Sequence, residues 1–367
     1  MARAAPRNFI RAQSPRILGV RMGVKLADII PPEALEVISL KHLSGKAISI
    51  DGYNTLYQFL SIIRGPDGRP LQDRKGRVTS HLSGLFFRTT NMIKEGLRVV
   101  YVFDGQPPEL KKAILRKRFE LREKARRLYS EALAAGELEE ARKYAAQSAS
   151  LESYMVETAT KLLDAMGIPY IVAPSEGEAQ AAYLAARGDT WASASQDFDS
   201  LLFGTPRLVR NLSIVGRRKL PGRNEYVSIE PELIIAEKLF SSLGIGRREL
   251  VDMAILIGTD YFEGVKGIGP KKAYNLIKTH GSAEAALKAL GKQPEVDIEA
   301  VRKLFLEPEV KKDYVLEWRE IDRERVVKLL CDEHDFSPER VEKELNEVEA
   351  ILAEKRRATS LDRWLSG

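Results

Sequence analysis

The sequence predicts an α/β fold, in which a largely parallel central sheet is covered by helices on both faces. Three observations support this. Short apolar runs alternate with amphipathic helical stretches up to about residue 215, as parallel strands joined by crossover helices do. Beyond that point the pattern is nearly all helical. The 367 residues, 44% of them hydrophobic, suffice for a sizeable core.

The composition of the chain excludes several classes of protein and of metal site. Lys and Arg number 58 against 52 Asp and Glu, a formal net charge of +6 whose clustering matters more than its size. One cysteine, Cys331, and four histidines exclude a disulfide framework, a Cys-based zinc site and a His-rich metal site. No apolar run approaches the roughly 18 residues needed to span a membrane. We therefore expect a soluble, intracellular protein whose metal chemistry would use oxygen ligands.

Residues 1–21 differ from the rest of the chain. They contain five Arg, two Pro and no acid, without apolar periodicity. Such a stretch predicts a basic, disordered extension that need not be native, and its amphipathic pattern is too weak to identify a transit peptide. From Met22 the sequence becomes globular, and we predict one domain over residues 22–354.

The first globular elements follow in order. The segment KAISIDGYN predicts a strand, a carboxylate and then a helix through Leu56, Phe59 and Ile63. Residues 64–79 predict an exposed loop with Gly-Pro type turns and five basic side chains. A helix ending at Gly96 and the strand LRVVYVF come next.

Residues 110–150 form a basic helical segment. Nine Lys and Arg lie between Lys111 and Arg127, opposed only by Glu120 and Glu123, and the helical pattern breaks near residues 135–136. A solvated helical hairpin would explain such a charge run. Because the run begins seven residues after Asp104, a phosphate-contacting helix above a site is the alternative that we favour.

The remaining elements are a helix over residues 151–166, strand IPYIVA, a helix entered through Glu176 and strand TWASAS. A hairpin is expected from Arg207 to Val227, and helices from Pro231 onward. Residues 355–367, ending in LDRWLSG, predict a flexible polar tail.

Apolar runs that end on, or lead straight into, acids are the main functional signal. The ends of adjacent strands in an open α/β sheet share one crevice, so acids at these ends should meet there. Clustered carboxylates raise one another's pKa, and two divalent cations would relieve the repulsion and could activate water against a phosphodiester. The sequence thus predicts a nuclease with two Mg²⁺ ions, replaceable by Mn²⁺, held by Asp51, Asp104, Glu176, Glu178, Asp197, Asp199 and Asp260.

Structural roles remain possible for some of these acids. Asp51 and Asp104 are each followed by Gly and could be turn residues. Ser175 and Glu178 have the spacing of a helix capping box. Asp199 could cap the short helix that follows it.

A second signal is GVKGIGPKKAYNLIK, within residues 260–280. Gly267 and Gly269 allow the backbone to turn close to a phosphate, and Pro270 favours the start of a helix. With Lys271 and Lys272 beside the helix N-terminus, the segment predicts a helix-hairpin-helix type element that grips a DNA backbone.

These motifs together resemble a known family. In order, MGVKLADII, SIDGYNTLYQFL, TSHLSGLFFRTT, YVFDGQPPELK, APSEGEAQAAYL, residues 196–199, IGTDYFEGVKGIGPKKA and LDRWL are similar to a flap endonuclease of the 5′-nuclease superfamily, in its archaeal form. The resemblance spans Met22 to Leu365. It implies a structure-specific 5′ flap endonuclease and 5′-3′ exonuclease that cleaves branched DNA in replication, including Okazaki fragment maturation, and in repair.

The resemblance also implies residue roles. The seven acids form a two-metal site, in which Asp104 and Glu176 join Lys111 and Arg118, from a helical arch over residues 110–150, as catalytic residues. Tyr57, Arg64 and Arg88 contact DNA, although spacing alone would favour core packing for Tyr57, whose helix neighbours are apolar. A monovalent cation is implied at Gly264–Ile268. Leu361, Trp364 and Leu365 bind a sliding clamp, with Ala358 where the family usually has Gln; the last turn of a self-packed helix is the alternative for this tail.

Two other functions remain open. A relative in the same superfamily could act on bubbles, gaps or four-way junctions, although the segment between Asp104 and Glu176 is short for the bubble-specific branch. A catalytically silent scaffold could instead bridge branched DNA to the clamp. We expect a monomer that is cytoplasmic and nucleoid-associated if the chain is archaeal.

Overall fold

The computed structural model of the chain describes residues 23–65, 69–148, 150–219 and 226–365. Within these residues nine strands are present. They are β1 (Leu35–Val37), β2 (Ala47–Asp51), β3 (Arg98–Phe103), β4 (Tyr170–Val172), β5 (Ala192–Ala194), β6 (Arg207–Arg210), β7 (Gly216–Lys219), β8 (Tyr226–Ile229) and β9 (Glu232–Ile235). The predicted basic extension, residues 1–21, lies outside the described residues.

Seven strands form the central sheet, in the order β1-β9-β6-β5-β2-β3-β4. The pairs β6–β5, β5–β2, β2–β3 and β3–β4 are all parallel, whereas β9 is antiparallel to both β6 and β1. The predicted α/β class with a largely parallel sheet is therefore confirmed. Strands β7 and β8 form a separate antiparallel hairpin.

Fourteen α-helices are described. They are α1 (Gly52–Ile62), α2 (Ser80–Lys94), α3 (Lys112–Ala134), α4 (Leu138–Gln147), α5 (Ser153–Ala165), α6 (Gly177–Arg187), α7 (Asp199–Leu202), α8 (Ala236–Leu243), α9 (Arg247–Ile257), α10 (Pro270–His280), α11 (Ala283–Ala289), α12 (Ile298–Leu306), α13 (Arg323–Val327) and α14 (Pro338–Leu365). In the described part of the chain none is long and apolar enough to cross a membrane.

The side-chain alternation of β3 shows why helices cover both faces of the sheet. Val99 and Tyr101 pack into a core with α1, α2 and α5, whereas Val100 and Val102 pack into a core with α6 on the other face. Successive strand side chains point to opposite faces, so a strand buried on both sides must be apolar throughout.

Three details of the predicted chain path were wrong. Arg207 to Val227 is not one hairpin, because Arg207–Arg210 joins the central sheet as β6 and the hairpin starts at Gly216. The segment after Pro231 begins with strand β9 rather than with a helix. The sheet also gains β1, whose residue Leu35 pairs with Ile234.

The basic segment forms the expected helical pair, with the break at Ala135–Gly136 between α3 and α4. At the other end of the chain α14 continues to Leu365, so the backbone of the expected tail is helical and residue 355 marks no boundary of an element. The side chains of Leu361, Trp364 and Leu365 lie outside the described part of the structure.

Candidate active site

The seven acids predicted to form one site line a single pocket of about 360 Å³. The pocket lies where β2, β3 and β5 end, at the edge of the sheet to which their carboxyl termini point. Lys111, Arg118 and Arg122 line it from the side of α3. The structure thus brings together acids that are up to 209 residues apart, from Asp51 to Asp260.

Asp51 and Asp104 follow adjacent strands. Asp51 ends β2 and caps α1, because one of its oxygens accepts a hydrogen bond from Asn54 N at 3.0 Å. Asp104 follows β3 and accepts from Gly177 N at 2.7 Å, at the start of α6. The structural role of Asp51 is thus that of a helix cap rather than the turn residue considered for it, and Asp51 lines the pocket as well.

Glu176 and Glu178 enter the pocket from α6. The capping box considered for Ser175 and Glu178 is absent, because Glu176 occupies the N-cap position and makes no side-chain capping bond. Ser200 Oγ donates to Glu178 Oε1 at 3.4 Å. Both acids are thus free of a helix-capping role.

Asp197 and Asp199 follow β5. Val24 N donates to Asp199 Oδ1 at 2.8 Å, and α7 has no side-chain cap, so Asp199 is not the cap that we considered. Gly23 packs against Asp197, where a Cβ atom would come within 2.6 Å of that side chain. Glycine at position 23 is required by this approach and by its φ of +64°.

Asp260 follows α9 and meets the two basic residues expected at the site. Lys111 Nζ lies 2.6 Å from Glu176 Oε2 and 3.4 Å from Asp260 Oδ2. Arg118 donates to both oxygens of Asp260, with one bond at 3.2 Å. Lys111 and Arg118 are thus held against acids that line the pocket.

The pocket contains more acidic than basic side chains, and the pKa values of its buried acids are raised. Burial, aided by the charges of Asp260 and Asp197, raises the pKa of Asp199 to about 8. Burial and the charge of Asp260 raise the pKa of Asp197 to about 6. Burial is also the main cause of the raised pKa values of four further acids: Asp51, Asp104, Glu176 and Glu178. Although burial opposes it, the charges of Glu176 and Asp260 raise the pKa of Lys111.

The donor set fits hard divalent cations, because it consists of carboxylate oxygens whose mutual repulsion added positive charge would relieve. Among the described residues no three acidic side chains stand close enough to ligate one ion as they are arranged. At Glu176 and Asp260 the compensating charge comes from Lys111 and Arg118. The carboxylate oxygens thus fit divalent cations, whereas the arrangement of these ligands around an ion stays a prediction.

Three residues expected to contact DNA have internal partners. Tyr57 lines the pocket but is only 7% exposed, and the guanidinium of Arg122 lies 5.5 Å from its ring centroid. Arg64 donates to the carbonyls of Ser61 and Ala145. Arg88 donates to Val215 O at 2.7 Å. Arg64 and Arg88 thus brace neighbouring backbone in this structure.

The Gly-rich segment forms the loop between α9 and α10. Gly269 is the N-cap of α10, Pro270 is its first residue, and Lys271 and Lys272 are exposed. Gly267 has a φ of +84°, and a Cβ atom at Gly267 or Gly269 would meet nothing within 4 Å. The first amides of a helix have no partner within it, so this open turn presents donors beside two lysines.

Sequence reasoning missed several pocket residues, among them Asn54 and Arg122. Asn54 Nδ2 donates to Asp197 Oδ2 at 2.9 Å. Arg122, one turn after Arg118, lines the same pocket. Helical spacing could have indicated Arg122. The bond of Asn54 joins residues 143 positions apart and leaves no local signal.

Comparison with known proteins agrees with this fold. The XPG N-terminal domain model matches residues 22–125 and the XPG I-region model matches residues 167–260. The catalytic core of Rad2 in complex with DNA substrate has the same fold, with a TM-score of 0.66 at 23% identity, over 89% of this chain and 100% of that one. The two family models, which together match more than half of the chain, identify it as a nuclease of the XPG type.

Two relatives are more similar. Flap endonuclease 1 of Ignicoccus hospitalis is 54% identical over 336 residues, which are 91% of this chain and 96% of the relative. The structure of flap endonuclease-1 from Methanococcus jannaschii matches with a TM-score of 0.71 and 42% identity, over 91% of this chain and 100% of that one. The chain belongs to the flap endonuclease 1 family and is a structure-specific flap endonuclease.

Proposed function

We propose that this flap endonuclease hydrolyses the phosphodiester of a 5′ flap with two Mg²⁺ ions held by the seven pocket acids, and that it also acts as a 5′-3′ exonuclease. The observation that carries the proposal is the convergence of these acids, six of which have raised pKa values, in one pocket. When bound, the ions would polarise the scissile phosphate and lower the pKa of the attacking water. Mn²⁺ has similar ligand preferences and should substitute.

Lys111 and Arg118 would stabilise the charge that develops on the phosphate. Both side chains are mostly buried, at 12% and 10% exposure, and both already contact acidic oxygens in the pocket. A cation that is held in this way can exchange a carboxylate oxygen for a phosphate oxygen without a large movement. Pre-positioned charges of this kind favour the transition state over the ground state.

Substrate selection would depend on the α3–α4 hairpin, which we propose to be an arch over the site. Leu115, Arg118 and Arg122 line the pocket from α3, so a strand bound in the pocket would contact this helix. Tyr57 would stack on a base only after the guanidinium of Arg122 moves from its ring. The α9–α10 element would hold the duplex by its backbone, with a monovalent cation at Gly264–Ile268.

A labelled 5′ flap substrate tests the proposal. Cleavage near the junction with Mg²⁺, its loss in chelator and its recovery with Mn²⁺ are the expected results. Binding without cleavage under every metal condition would favour the silent scaffold. Preference for a bubble or a four-way junction over the flap would place the chain with its superfamily relatives.

We also propose that the enzyme is a monomer that acts inside the cell in replication and repair, and that it binds a sliding clamp through Leu361, Trp364 and Leu365. Trp364→Ala should abolish stimulation by the cognate clamp and leave intrinsic cleavage unchanged, whereas Ala358→Gln should tighten clamp binding. Calorimetry that shows no effect of either change would favour a self-packed helix end.

Residues 1–21 should be dispensable for cleavage. A chain that begins at Met22 should cleave flaps at least as fast as the full chain at physiological salt, because a basic extension adds mainly nonspecific affinity. Loss of activity on truncation, together with a full-length mass for protein from its native source, would refute this expectation.

A further inference from the structure

A chain of three hydrogen bonds connects Asp197 to the segment that leads into the β7–β8 hairpin. Ser213 Oγ donates to Gln58 Oε1 at 2.5 Å, and Gln58 Nε2 donates to Asn54 Oδ1 at 2.8 Å. Asn54 Nδ2 then donates to Asp197 Oδ2 at 2.9 Å. Ser213 and Gln58 are only 6% and 8% exposed, so water offers them little alternative.

The orientation of each amide in the chain is fixed by its neighbour. An ionised carboxylate only accepts hydrogen bonds, so Asn54 must direct its NH₂ group to Asp197. Asn54 Oδ1 is then left to accept from Gln58, whose own Oε1 is left for the Ser213 hydroxyl. Hydrogen bonds that point in one direction polarise one another. The whole chain therefore directs an N–H at one oxygen of Asp197.

The Ser213 end of the hydrogen-bond chain is also held in place. Asn211, two residues before Ser213, is buried in the left-handed conformation with a φ of 63°. Two residues after Ser213, the carbonyl of Val215 accepts from Arg88. Ser213 is thus held between two constrained positions. The hydrogen-bond chain that starts at Ser213 cannot shift without moving residues 211–215, which form the stem of the β7–β8 hairpin.

We propose that Gln58 and Ser213 are positioning residues that orient Asp197 for a divalent cation and couple this site to the stem of the β7–β8 hairpin. The inference rests on the proposed function, since it takes Asp197 to be a metal ligand. Groups that hydrogen-bond to a metal ligand fix its orientation, and their loss typically weakens metal affinity about 10- to 100-fold. Neither Gln58 nor Ser213 lines the pocket, so any effect on metal binding must act through Asn54.

Mn²⁺ binding without DNA, followed by electron paramagnetic resonance, tests the proposal. Gln58→Met keeps the side-chain length and removes both of its bonds, so the Kd for Mn²⁺ should rise at least about 10-fold. Ser213→Ala leaves the two bonds nearest Asp197 in place and should have a smaller effect in the same direction. The concentration of Mg²⁺ that gives half-maximal cleavage should rise in parallel, while cleavage at saturating Mg²⁺ changes little.

Ser193→Ala is the matched control. Ser193 is also fully buried, and its hydroxyl donates to Thr205 Oγ1 at 3.0 Å, outside this chain. Its loss should lower the thermal midpoint in chelator without changing the Kd for Mn²⁺. Unchanged affinity in both Gln58→Met and Ser213→Ala, or equal weakening in Ser193→Ala, would overturn the inference. Failure of the unaltered protein to bind Mn²⁺ would instead overturn the proposed two-metal function.

Discussion

Two clusters of acidic and basic side chains in this molecule differ in how their most buried acids are paired. Around Arg302, which is 1% exposed, the equally buried Asp252 lies 2.7 Å away, and Glu284 and Glu299 add contacts from the surface. These bonds join α9, α11 and α12. In the pocket, seven acids face Lys111, Arg118 and Arg122. The first cluster pairs one fully buried acid with one fully buried base, whereas in the second the buried acids outnumber the basic side chains.

Burial raises the pKa values of the most buried acids in both clusters, including Asp252, where the hydrogen bond and charge of Arg302 oppose the rise. Although burial opposes it, hydrogen bonding to Arg302 lowers the pKa of Glu284. In the pocket, burial and neighbouring acids raise the pKa values of Asp197 and Asp199. In the first cluster the fully buried acid has a buried base beside it, whereas in the pocket seven acids share Lys111, Arg118 and Arg122 and would be stabilised by added positive charge. The pocket is therefore the better candidate for a functional site.

The largest effect should come from the pocket acids. Asp199→Asn or Asp104→Asn should lower flap cleavage on the order of 10³-fold, because each removes a charge from a site that supplies several kcal/mol of transition-state stabilisation. Flap binding, measured by fluorescence anisotropy in chelator, should remain, because the phosphate grip lies elsewhere. Asp313→Asn, at an exposed acid outside the pocket, is the control. Near-normal turnover in either pocket variant would contradict the assignment.

Changes at Arg302 should lower the stability of the protein rather than its cleavage activity. Arg302→Met leaves Asp252 buried without its partner and should lower the free energy of unfolding in urea by about 3–5 kcal/mol. Cleavage below the unfolding transition should persist. Lys303→Met is the control on the same helix, because Lys303 is 70% exposed and its ion pair with Glu307 is long, at 3.9 Å. Adding Asp252→Leu to Arg302→Met should recover stability; a further loss would show that the pair is not the cause.

The sequence predicted the pocket because its signal is local. An apolar run that ends on an acid can be recognised from a few neighbouring residues, and the parallel order of β2, β3 and β5 then brings distant acids to one edge of the sheet. The charge run of α3 could be recognised because it, too, lies within one short segment. What the run could not reveal was that Lys111 and Arg118 contact Glu176 and Asp260.

The features that sequence reasoning missed depend on partners far along the chain. Strand β1 has three residues and exists through pairing with β9, almost 200 residues later. The hydrogen bonds of Arg88 and Arg64 to backbone carbonyls were missed as well, because the sequence around an isolated arginine does not show which carbonyl will accept from it. The Asn54–Gln58–Ser213 chain is equally nonlocal, since amide side chains are ordinary on any helix.

The stability of metal-free protein should depend on pH in a direction set by Asp199. Its pKa is about 8 when folded and 3.8 in the reference state, so the folded protein binds the extra proton between these values. Stability relative to Asp199→Asn should therefore be greatest below about pH 4 and should fall, by up to about 1.4 kcal/mol per pH unit, as the pH rises towards 8. Urea unfolding in chelator measures this difference. Near pH 8 the variant should be the more stable protein, and added Mg²⁺ should reverse the order; a difference independent of pH would contradict the raised pKa.

The smallest effect should come from cations that belong to neither cluster. Lys271 and Lys272 are exposed at the start of α10, and within the described ranges no ion pair engages them. Because they have no acid to balance, their loss should cost little stability. The double variant Lys271→Ala/Lys272→Ala should instead weaken binding to all duplex sequences alike and reduce the slope of log K against log salt by about 1–2, as expected for two phosphate contacts. Lys288→Ala/Lys292→Ala, two exposed lysines away from this turn, should leave the slope unchanged. An equal slope in all three proteins would mean that Lys271 and Lys272 only face solvent.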